Sequence, residues 1–496
     1  MAATSALINP NVLVQRNDPF TTGIIYMPIG LAYVAAALRQ QELPVKVIDA
    51  FGEAPRQVHK AGDFMVLGLS TNEVMARIPA DTGVIFVYAN QLINHASVAE
   101  IIRAAKHQFP KTPVVVLENT QAVTAYALRP VAKDLFEVGA DYLLSGEGEE
   151  RAVQLVHAVG RGAKPEELAA IDGLCWPGRD SPVKAYNRNL DTLPFPAWDL
   201  FPLEGYWSLR FAHGPQSARK YLPMLTTRGC PYPCRFCVVP ATNDRTWRHR
   251  SGKNVADEMA YMKERFGVTE FHWEDLNPTI NDKRMRALCE EIIARDLGIT
   301  WKIVAGTKVE SMRTEETVSL MAKAGCRYVS ISPESGSKRV RRLIEKPFSV
   351  EHATKLIHEM NRVGIRSQAC FVLGFPGEED EDRELTRGLI KDLVRNGIDE
   401  IAIFIISPVP GSEIFKDFRG YKSLSELNFT PTWRDDYEML NRLRINLYLS
   451  FLGWKLRYYP LKIFRQGINF LMRRFETKME MVPYKALVYK MMHARA

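Results

Sequence analysis

Two stretches of this sequence alternate short apolar segments with segments of helical period, and this alternation restricts the fold to the α/β class. In residues 1–160 the strand candidates are rich in β-branched or apolar residues, which predicts strands that are buried on both faces. Because helical segments separate them, they predict an open, doubly wound, Rossmann-like domain. The strand candidates are 6–14, 45–50, 83–90, 113–120 and 140–145, and the helices between them include 30–41, 98–108 and 149–159.

The alternation resumes after a proline-rich stretch. Prolines punctuate residues 161–220, which predicts a largely extended linker. Residues 221–420 then carry six βα units and predict a partial (β/α)6 barrel, whose active residues gather at the C-terminal ends of the strands. Residues 421–496 form a helical C-terminal region. The barrel strand candidates are 223–228, 269–275, 300–304, 328–333, 367–374 and 400–407.

Three cysteines, Cys230, Cys234 and Cys237, lie within eight residues directly after the first barrel strand. Protein-held four-iron clusters normally take four cysteine ligands, so three cysteines leave one iron open for chemistry. A structural zinc site would need a fourth ligand, and His249 is the candidate. The odd total of seven cysteines and the lack of a secretory signal disfavour a disulfide. We therefore predict an iron–sulfur cluster, with zinc or plain buried thiols as the alternatives.

The sequence around this triplet, Thr-Arg-Gly-Cys-Pro-Tyr-Pro-Cys-Arg-Phe-Cys, resembles that of the radical S-adenosylmethionine enzymes. The resemblance implies a 4Fe-4S cluster on Cys230, Cys234 and Cys237, with the amino and carboxylate groups of S-adenosylmethionine on the open iron. It also implies that adenine packs against Phe236. In the family, an electron from the cluster breaks the sulfonium bond and yields a 5′-deoxyadenosyl radical.

Motifs at the ends of later barrel strands extend this resemblance. It implies that acids after the second strand receive the amino group of S-adenosylmethionine, that the fourth strand end contacts the ribose and methionine parts, and that the fifth lies beside adenine. These positions are Glu274 and Asp275, then Ser332, Glu334 and Ser335, then Gly374 and Pro376. The acid pair could instead favour a helix N-terminus. Ser335 could cap the helix that begins near Lys338.

The N-terminal region resembles the cobalamin-binding domain that precedes the radical domain in one large subclass, which includes class B methyltransferases and the anaerobic Mg-protoporphyrin ester cyclase. Residues 28–38, 47–50 and 145–150 carry the likeness, and small residues there would admit a planar cofactor. The chain departs from the family at residues 118–121, and it lacks the Asp-x-His-x-x-Gly motif of a cobalt-ligating histidine. A domain that binds nothing, or only protein, is the alternative. The residues assigned to cobalamin are Tyr88, Asn90, Glu118, Asn119, Thr120, Gly146, Glu147 and Gly148.

Charge is concentrated at the C-terminal end of the chain. The net charge is +8, and residues 441–496 contain twelve Lys or Arg against two acids, or 12 − 2 = +10. Leucines, aromatic residues and cations in this tail suit a helix in a membrane interface, with a helical cap over the active site as the alternative. We predict a cytoplasmic protein, peripheral on the inner face of the membrane if the tail binds lipid. No nucleic-acid partner is expected.

These features predict a cobalamin-dependent radical S-adenosylmethionine methyltransferase. Its substrate would be an unactivated carbon of a small molecule or lipid, and its electron donor a protein such as flavodoxin or ferredoxin. One alternative keeps the architecture and catalyses a non-methylating reaction, such as ring closure, carbon–carbon coupling or oxidative cyclisation. The other is a membrane-attached iron–sulfur protein without catalysis, which would not need the motifs at the strand ends.

Overall fold

The N-terminal domain contains a mostly parallel sheet, seen in a computed structural model that describes residues 3–18 and 20–495. Its strands are β1 (Thr4–Asn9), β2 (Val12–Gln15), β3 (Val45–Asp49), β4 (Val58–Ala61), β5 (Phe64–Leu67), β6 (Thr82–Ala89), β7 (Val114–Glu118), β8 (Tyr142–Leu144) and β9 (Leu174–Cys175). Its helices are α1 (Ile29–Gln40), α2 (Ala50–Glu53), α3 (Thr71–Met75), α4 (His95–Gln108), α5 (Ala132–Glu137), α6 (Gly148–Gly160) and α7 (Pro165–Leu168).

The strand order of this sheet is β3–β1–β6–β7–β8–β9, and all neighbours pair in parallel except β8 and β9. Strand order reverses between β1 and β6, and ligands of such sheets bind at this crevice beyond the carboxyl ends of the strands. Leu7 and Phe86 pack with α1 on one face, whereas Ile8 and Val87 pack with α4 on the other. Both faces are therefore covered, which confirms the predicted doubly wound architecture.

The predicted strand 6–14 is wrong as a single element. Strand β1 ends at Asn9, and β2 then leaves the main sheet to pair antiparallel with β5, which also pairs with β4. Pro10 separates the two strands and has no N–H group to continue the ladder. The sequence pattern did not reveal this change of sheet, because both strands are buried and apolar.

The segment 161–220 connects the two α/β parts and packs against both. It supplies the edge strand β9 and the helix α8 (Leu203–Leu209). The Tyr206 hydroxyl donates a 2.7 Å hydrogen bond to Asp49 at the end of β3, and the Trp207 indole donates to the Tyr221 carbonyl at 2.7 Å. These contacts join the sheet to the first barrel strand.

The second α/β part is a partial barrel of six parallel strands, as predicted, with a short antiparallel pair beside it. The strands are β10 (Tyr221–Met224), β11 (Thr227–Arg228), β12 (Arg248–His249), β13 (Glu270–Trp273), β14 (Thr300–Thr307), β15 (Cys326–Glu334), β16 (Arg366–Leu373) and β17 (Glu400–Ile405). The barrel order is β10–β13–β14–β15–β16–β17, and β11 pairs with β12. The helices are α9 (Val239–Asn243), α10 (Gly252–Phe266), α11 (Asp282–Arg295), α12 (Glu315–Lys323), α13 (Lys338–Leu343), α14 (Val350–Arg362) and α15 (Asp380–Arg395).

Three C-terminal helices follow: α16 (Tyr437–Tyr458), α17 (Pro460–Met472) and α18 (Lys478–Arg495). Helix α16 packs on α15 and β17 through Leu440, Leu447 and Phe451, which are fully buried. Helix α18 contacts the barrel and the N-terminal domain, since Met479 N–H donates to Glu400 and the Tyr489 hydroxyl donates to Gly23 O. Across residues 3–18 and 20–495, no helix is both long and apolar enough to cross a membrane.

Candidate active site

The three predicted cluster ligands lie on a loop that several contacts hold at the mouth of the barrel. Gly229 adopts a φ of +75°, and a Cβ there would approach Thr246 O to 2.0 Å, so only glycine fits before Cys230. Cys237 N–H donates to Cys234 O at 3.0 Å, which closes a tight turn. The Arg235 side chain points away from the thiols and binds Glu413 at 2.7 Å and Leu343 O at 2.9 Å.

The thiols share one largely apolar environment. Cys230 and Cys237 pack against Ala127, Val239 and Leu276, and Ala127 belongs to the N-terminal domain. Burial, together with the neighbouring Cys234, raises the pKa of Cys237 to about 12. Burial also raises the pKa values of Cys230 and Cys234. Three neighbouring sulfurs, two half-buried and one buried, fit the ligand set of an iron–sulfur cluster, and metal binding would release their protons.

His249, the alternative zinc ligand, is engaged elsewhere. Its ring lies 5.3 Å from the Trp247 ring, and its Nδ1 atom is 3.2 Å from Arg250 O. Among the residues that the structure describes, no three His, Cys, Asp or Glu side chains are arranged to hold a single metal ion.

Glu334 and Lys346 form an ion pair beside the cysteine loop. Glu334 ends β15 with a φ of +62°, a rare conformation for a residue with a side chain, and such strain concentrates at ligand sites. The Lys346 ammonium binds its carboxylate and lies 5.8 Å from the centre of the Phe236 ring. Although burial opposes the charged lysine, the Glu334 carboxylate raises the pKa of Lys346. The structure thus brings Lys346, which no sequence motif indicated, together with the predicted contacts Glu334 and Phe236.

Glu274 and Asp275 are adjacent in sequence but face different surroundings. The Glu274 carboxylate lies 2.6 Å from Nδ1 of His213, whose ring is tilted against that of Tyr26 with centres 4.4 Å apart. Asp275 is fully buried, and its Oδ1 atom accepts hydrogen bonds from the backbone N–H and hydroxyl groups of both Thr226 and Thr227. Glu274, which is 9% exposed, therefore belongs to a pair with His213, whereas Asp275 positions the chain that leads into the cysteine loop.

The remaining predicted contacts differ in their access to a ligand. Ser335 is fully buried and accepts from Ser337 N–H, and Ser337 rather than Ser335 caps α13. The prediction that Ser335 caps α13 is therefore wrong. The helix begins at Lys338, and Ser337, directly before it, accepts the Val340 N–H. Ser332 is buried against Gly306, where a Cβ would approach its Oγ atom to 1.9 Å.

Gly374 and Pro376 form the turn after β16. Gly374 has a φ of +82°, and a Cβ there would approach Leu440 to 2.6 Å and Arg434 to 2.9 Å. Its N–H donates to Glu378 at 2.6 Å, and its carbonyl accepts from Arg434 at 3.0 Å. Glycine at this position therefore satisfies packing by the C-terminal region, and the half-buried Pro376 remains accessible to a ligand.

The barrel interior contains polar side chains that sequence reasoning missed. The half-buried Lys478 reaches inward from α18 and donates to Val304 O at 3.2 Å. Burial lowers the pKa of Lys478, while the Cys370 thiol and the Glu400 and Glu274 carboxylates raise it. No local sequence pattern identifies Lys478 as an interior residue, because it belongs to a basic tail whose charged residues are expected at the surface. Its position fits the predicted cap over the active site.

A small cavity of about 20 Å³ lies between the N-terminal sheet and the barrel. It occupies the crevice beyond the carboxyl ends of the strands, where the sequence predicted a cofactor. Both domains line it, through Gly30, Val34, Tyr88, Leu117, Glu118, Asn119, Thr120, Gln121, Glu147, Gly148, Glu149, Leu225 and Arg228. Six of the eight predicted cobalamin residues are in this set, and Asn90 and Gly146 are not.

Asn90 and Gly146 serve the loops around the cavity instead. The Asn90 amide donates to Asn9 at 2.9 Å and its oxygen accepts from Asn94 at 3.0 Å, so it belongs to a buried chain of amides. Gly146 has a φ of +80° and donates its N–H to Glu118 at 2.6 Å. Its missing side chain accommodates Val183, since a Cβ would approach that residue to 2.9 Å. Glycine here allows protein packing rather than close approach of a ligand.

Buried ion pairs join the two domains beside this cavity. Glu149 accepts from Arg228 at 2.6 Å, and Glu147 accepts from both donor nitrogens of Arg248, at 2.9 and 2.6 Å. The Arg228 guanidinium also lies 4.8 Å from the centre of the Tyr33 ring. Despite burial, Arg228 and Arg248 lower the pKa of Glu147, so that it is charged. Because Arg228 is two residues before Cys230, this network couples the cavity to the cysteine loop.

The segment 118–121 lines the cavity with amide, hydroxyl and carboxyl groups. Glu118 accepts from Leu128 N–H at 2.9 Å, and burial raises its pKa to about 7. The Asn119 amide donates to Asn90 O, and Thr120 O accepts from Asn243 of the barrel at 2.9 Å. The buried Oε1 atom of Gln121 has no hydrogen-bond partner among the described residues. An unsatisfied buried acceptor is costly, which indicates a donor from a ligand.

This lining fits cobalamin in position and chemistry, because the corrin ring carries amide side chains that donate and accept hydrogen bonds. At about 20 Å³ the cavity has room for about one water molecule, far below the roughly 300–1,000 Å³ of small-molecule sites. A corrinoid is larger than a drug-sized ligand, so the cavity would have to widen to hold it whole.

The barrel part of the chain matches a known family, and the chain resembles characterised enzymes over most of its length. Residues 224–390 match the model of the Radical SAM superfamily, so the chain contains a radical S-adenosylmethionine domain. Over 453 residues it is 26% identical to cytidylyl-2-hydroxyethylphosphonate methyltransferase of Streptomyces wedmorensis, covering 83% of this chain and 80% of that protein. Over 350 residues it is 27% identical to the anaerobic magnesium-protoporphyrin IX monomethyl ester cyclase of Rubrivivax gelatinosus, covering 67% and 60% respectively.

Two solved structures share the arrangement of domains. The radical S-adenosylmethionine methyltransferase TsrM from Kitasatospora setae, with cobalamin and a [4Fe-4S] cluster bound, superposes with a TM-score of 0.63 and 18% identity, covering 84% of this chain and 78% of that one. The cobalamin-dependent radical enzyme OxsB superposes with a TM-score of 0.60 and 16% identity, covering 89% and 56%. At these identities the likeness establishes the fold.

Proposed function

We propose that this radical S-adenosylmethionine enzyme is a cobalamin-dependent methyltransferase. The observation that carries the proposal is the juxtaposition of two sites across one domain interface. The cysteine loop lies on the barrel side. Arg228, two residues before Cys230, pairs with Glu149 beside the interdomain cavity. An enzyme that combines radical formation with methyl transfer needs its two cofactor sites close together.

The residues of the cysteine loop and the barrel mouth have separate tasks in this proposal. Cys230, Cys234 and Cys237 would hold the 4Fe-4S cluster, and Phe236 and Pro376 would flank the adenine of S-adenosylmethionine. Glu274, which pairs with His213, would accept hydrogen bonds from the amino group of S-adenosylmethionine. Ser332 and Glu334 lie at the end of β15, where they would face the ribose and methionine parts.

The cavity between the domains would hold cobalamin. Tyr88, Gly148 and the segment 118–121 line it, and their amide and hydroxyl groups match the side chains of the corrin ring. When bound, the cluster and cofactors supply the electron, the radical and the methyl group. The protein itself orients these groups and excludes water, and the Ala127 segment of the N-terminal domain covers the thiols. A reduced protein such as flavodoxin or ferredoxin would supply the electron.

The substrate would lie in the barrel interior, which is bordered by Glu274, Cys370 and Lys478. These polar groups suit a small molecule with an unactivated carbon and at least one polar or anionic substituent. A lipid with a polar headgroup also meets this description. The likeness to a cyclase favours one alternative, a non-methylating radical reaction within the same architecture.

The proposal can be tested without knowing the substrate. The protein is reconstituted anaerobically with iron, sulfide and hydroxocobalamin, and incubated with reductant and S-adenosylmethionine. Cobalamin binding is measured by visible absorption, and S-adenosylhomocysteine by mass spectrometry. A methyltransferase should form S-adenosylhomocysteine only when cobalamin is bound. A non-methylating enzyme should form 5′-deoxyadenosine alone, and that result would contradict the proposal.

Two glycines of α6 offer a matched pair of variants for this test. Gly148 lines the cavity, and a Cβ there already meets Val34 at 3.0 Å, whereas Gly160 has no atom within 4 Å of its Cβ position. Gly148→Phe should weaken cobalamin binding by about tenfold or more, because the ring occupies the cavity. Gly160→Phe should leave binding unchanged. Melting temperatures of both variants separate loss of binding from loss of folding.

A further inference from the structure

Helix α17 presents its apolar side to solvent. Leu461 and Leu471 are each 80% exposed and Phe464 is 70% exposed, and Ile468 and Met472 are also exposed. Their spacing of three or four residues places them on one side of the helix. No residue of α17 is buried. A surface helix of a globular protein normally turns its apolar stripe toward the core, so this orientation needs an explanation.

The polar side of α17 faces the protein. The Lys462 ammonium lies 2.9 Å from Asp399 and donates to Gly397 O at 2.7 Å. The Gln466 amide bonds to Lys455 at 2.8 Å and to Thr477 at 2.9 Å. These contacts fix the rotation of the helix, so the outward direction of its apolar side is built into the fold.

The preceding helix continues the apolar surface. On α16, Ile445, Leu449, Leu452 and Leu456 are exposed and follow a spacing of four, three and four residues. The opposite side of α16 is anchored in the core by Leu440, Leu447 and Phe451. Helices α16 and α17 pack against each other, which joins the two stripes. We call this the α16–α17 face.

The segment that forms most of this face carries an excess of positive charge. Residues 439–475 contain no Asp or Glu, and they carry eight cations. Arg442, Arg457, Arg473 and Arg474 of this set are exposed. An apolar stripe with arginines around it matches the two layers of a bilayer surface, in which anionic headgroups lie above acyl chains. A protein partner would require acids to complement the arginines, whereas a second copy of the same face would bring like charges together.

We propose that the α16–α17 face docks on the surface of an anionic lipid bilayer, with the leucines and Phe464 inserted at the level of the headgroups. Binding would hold the barrel at the membrane without a spanning segment. The proposal is independent of the reaction, since none of these side chains lines the cysteine loop or the interdomain cavity.

Co-sedimentation with vesicles of defined composition tests this proposal on the full-length protein. The probes are neutral phosphatidylcholine vesicles and vesicles that also contain phosphatidylglycerol. We expect stronger binding to the anionic vesicles, and weaker binding as salt screens the arginines. Absence of binding to anionic vesicles at low salt would overturn the proposal.

Serine substitutions of exposed residues provide the variants. Phe464→Ser and Leu471→Ser together should reduce the partition coefficient about tenfold or more, because each substitution removes a large apolar side chain that would leave water on binding. Ile293→Ser is the matched control, because Ile293 is exposed on α11 of the barrel. It should bind vesicles like the parent protein.

Two further results would contradict the proposal. One is unchanged vesicle binding by the Phe464→Ser, Leu471→Ser protein. The other is a dimer of the parent protein in light scattering that the same two substitutions convert to a monomer, because the occupant of the face would then be a second copy of the chain.

Discussion

Glu274 and Asp275 show at the residue scale how one motif divides into two roles. Both acids matched the pair that the family resemblance assigns to S-adenosylmethionine. Both are buried, but the Glu274 carboxylate pairs with His213, whereas Asp275 is surrounded by Thr226 and Thr227. Sequence reasoning could find the motif but not this division, because it depends on which way each side chain points at the end of β13.

This division predicts that two alanine variants differ in how much free energy of unfolding they lose. Asp275→Ala should lower the free energy of unfolding by about 2–4 kcal/mol, because it leaves buried backbone N–H groups without an acceptor. Glu274→Ala should cost less, about 1–2 kcal/mol, because it removes the single contact with His213, whereas Asp275 accepts hydrogen bonds from two threonines. Urea unfolding of the metal-free protein measures both values.

Binding measurements complete the comparison. Glu274→Ala should weaken S-adenosylmethionine binding to the reconstituted protein, as measured by equilibrium dialysis. Equal losses of stability in the two variants, with unchanged S-adenosylmethionine binding in Glu274→Ala, would show that both acids are structural.

At the scale of elements, the ion pair between β11 and α6 connects the domains. Arg228 and Glu149 are each less than 10% exposed and pair at 2.6 Å. Breaking a buried pair by removing one partner is strongly destabilising, whereas replacing both partners by apolar residues is often close to neutral. The pair should therefore show strong coupling.

A double-mutant cycle measures this coupling. Glu149→Leu alone should lower the free energy of unfolding by about 3–5 kcal/mol, because Arg228 keeps its buried charge. Adding Arg228→Met should recover part of this loss. Urea unfolding of the two single variants, the double variant and the parent gives the coupling energy. Additive losses would mean that the two side chains do not interact across the interface.

The sequence was sufficient to predict some strands and helices of the fold but not others. Alternating patterns predicted both sheets, because buried parallel strands are continuous apolar runs. They did not reveal the break at Pro10 or the strand pairing of β2 with β5. The tail pattern predicted helices but not the direction of the apolar side of α17. That direction depends on the contacts of Lys462 with Asp399 and of Gln466 with Thr477.

For the whole molecule, the candidate site is assembled from all parts of the chain. The cysteine loop and the strand-end residues were predictable, because local motifs mark them. His213 from the connecting segment, Lys346 after α13 and Lys478 from α18 were not, because only long-range packing brings them to the barrel mouth and interior. The N-terminal domain likewise reaches the thiols through Ala127, whose N–H donates to Pro410 O at 3.0 Å.

The central claim is that the three-cysteine loop holds the cluster that cleaves S-adenosylmethionine. Its most direct test measures iron content and 5′-deoxyadenosine after anaerobic reconstitution, with dithionite as reductant. Cys230→Ala, Cys234→Ala and Cys237→Ala should each abolish 5′-deoxyadenosine formation and lower the iron content. Cys289→Ala, which alters a buried cysteine of α11, should retain both. Unchanged iron content and S-adenosylmethionine cleavage in all three loop variants would contradict the account.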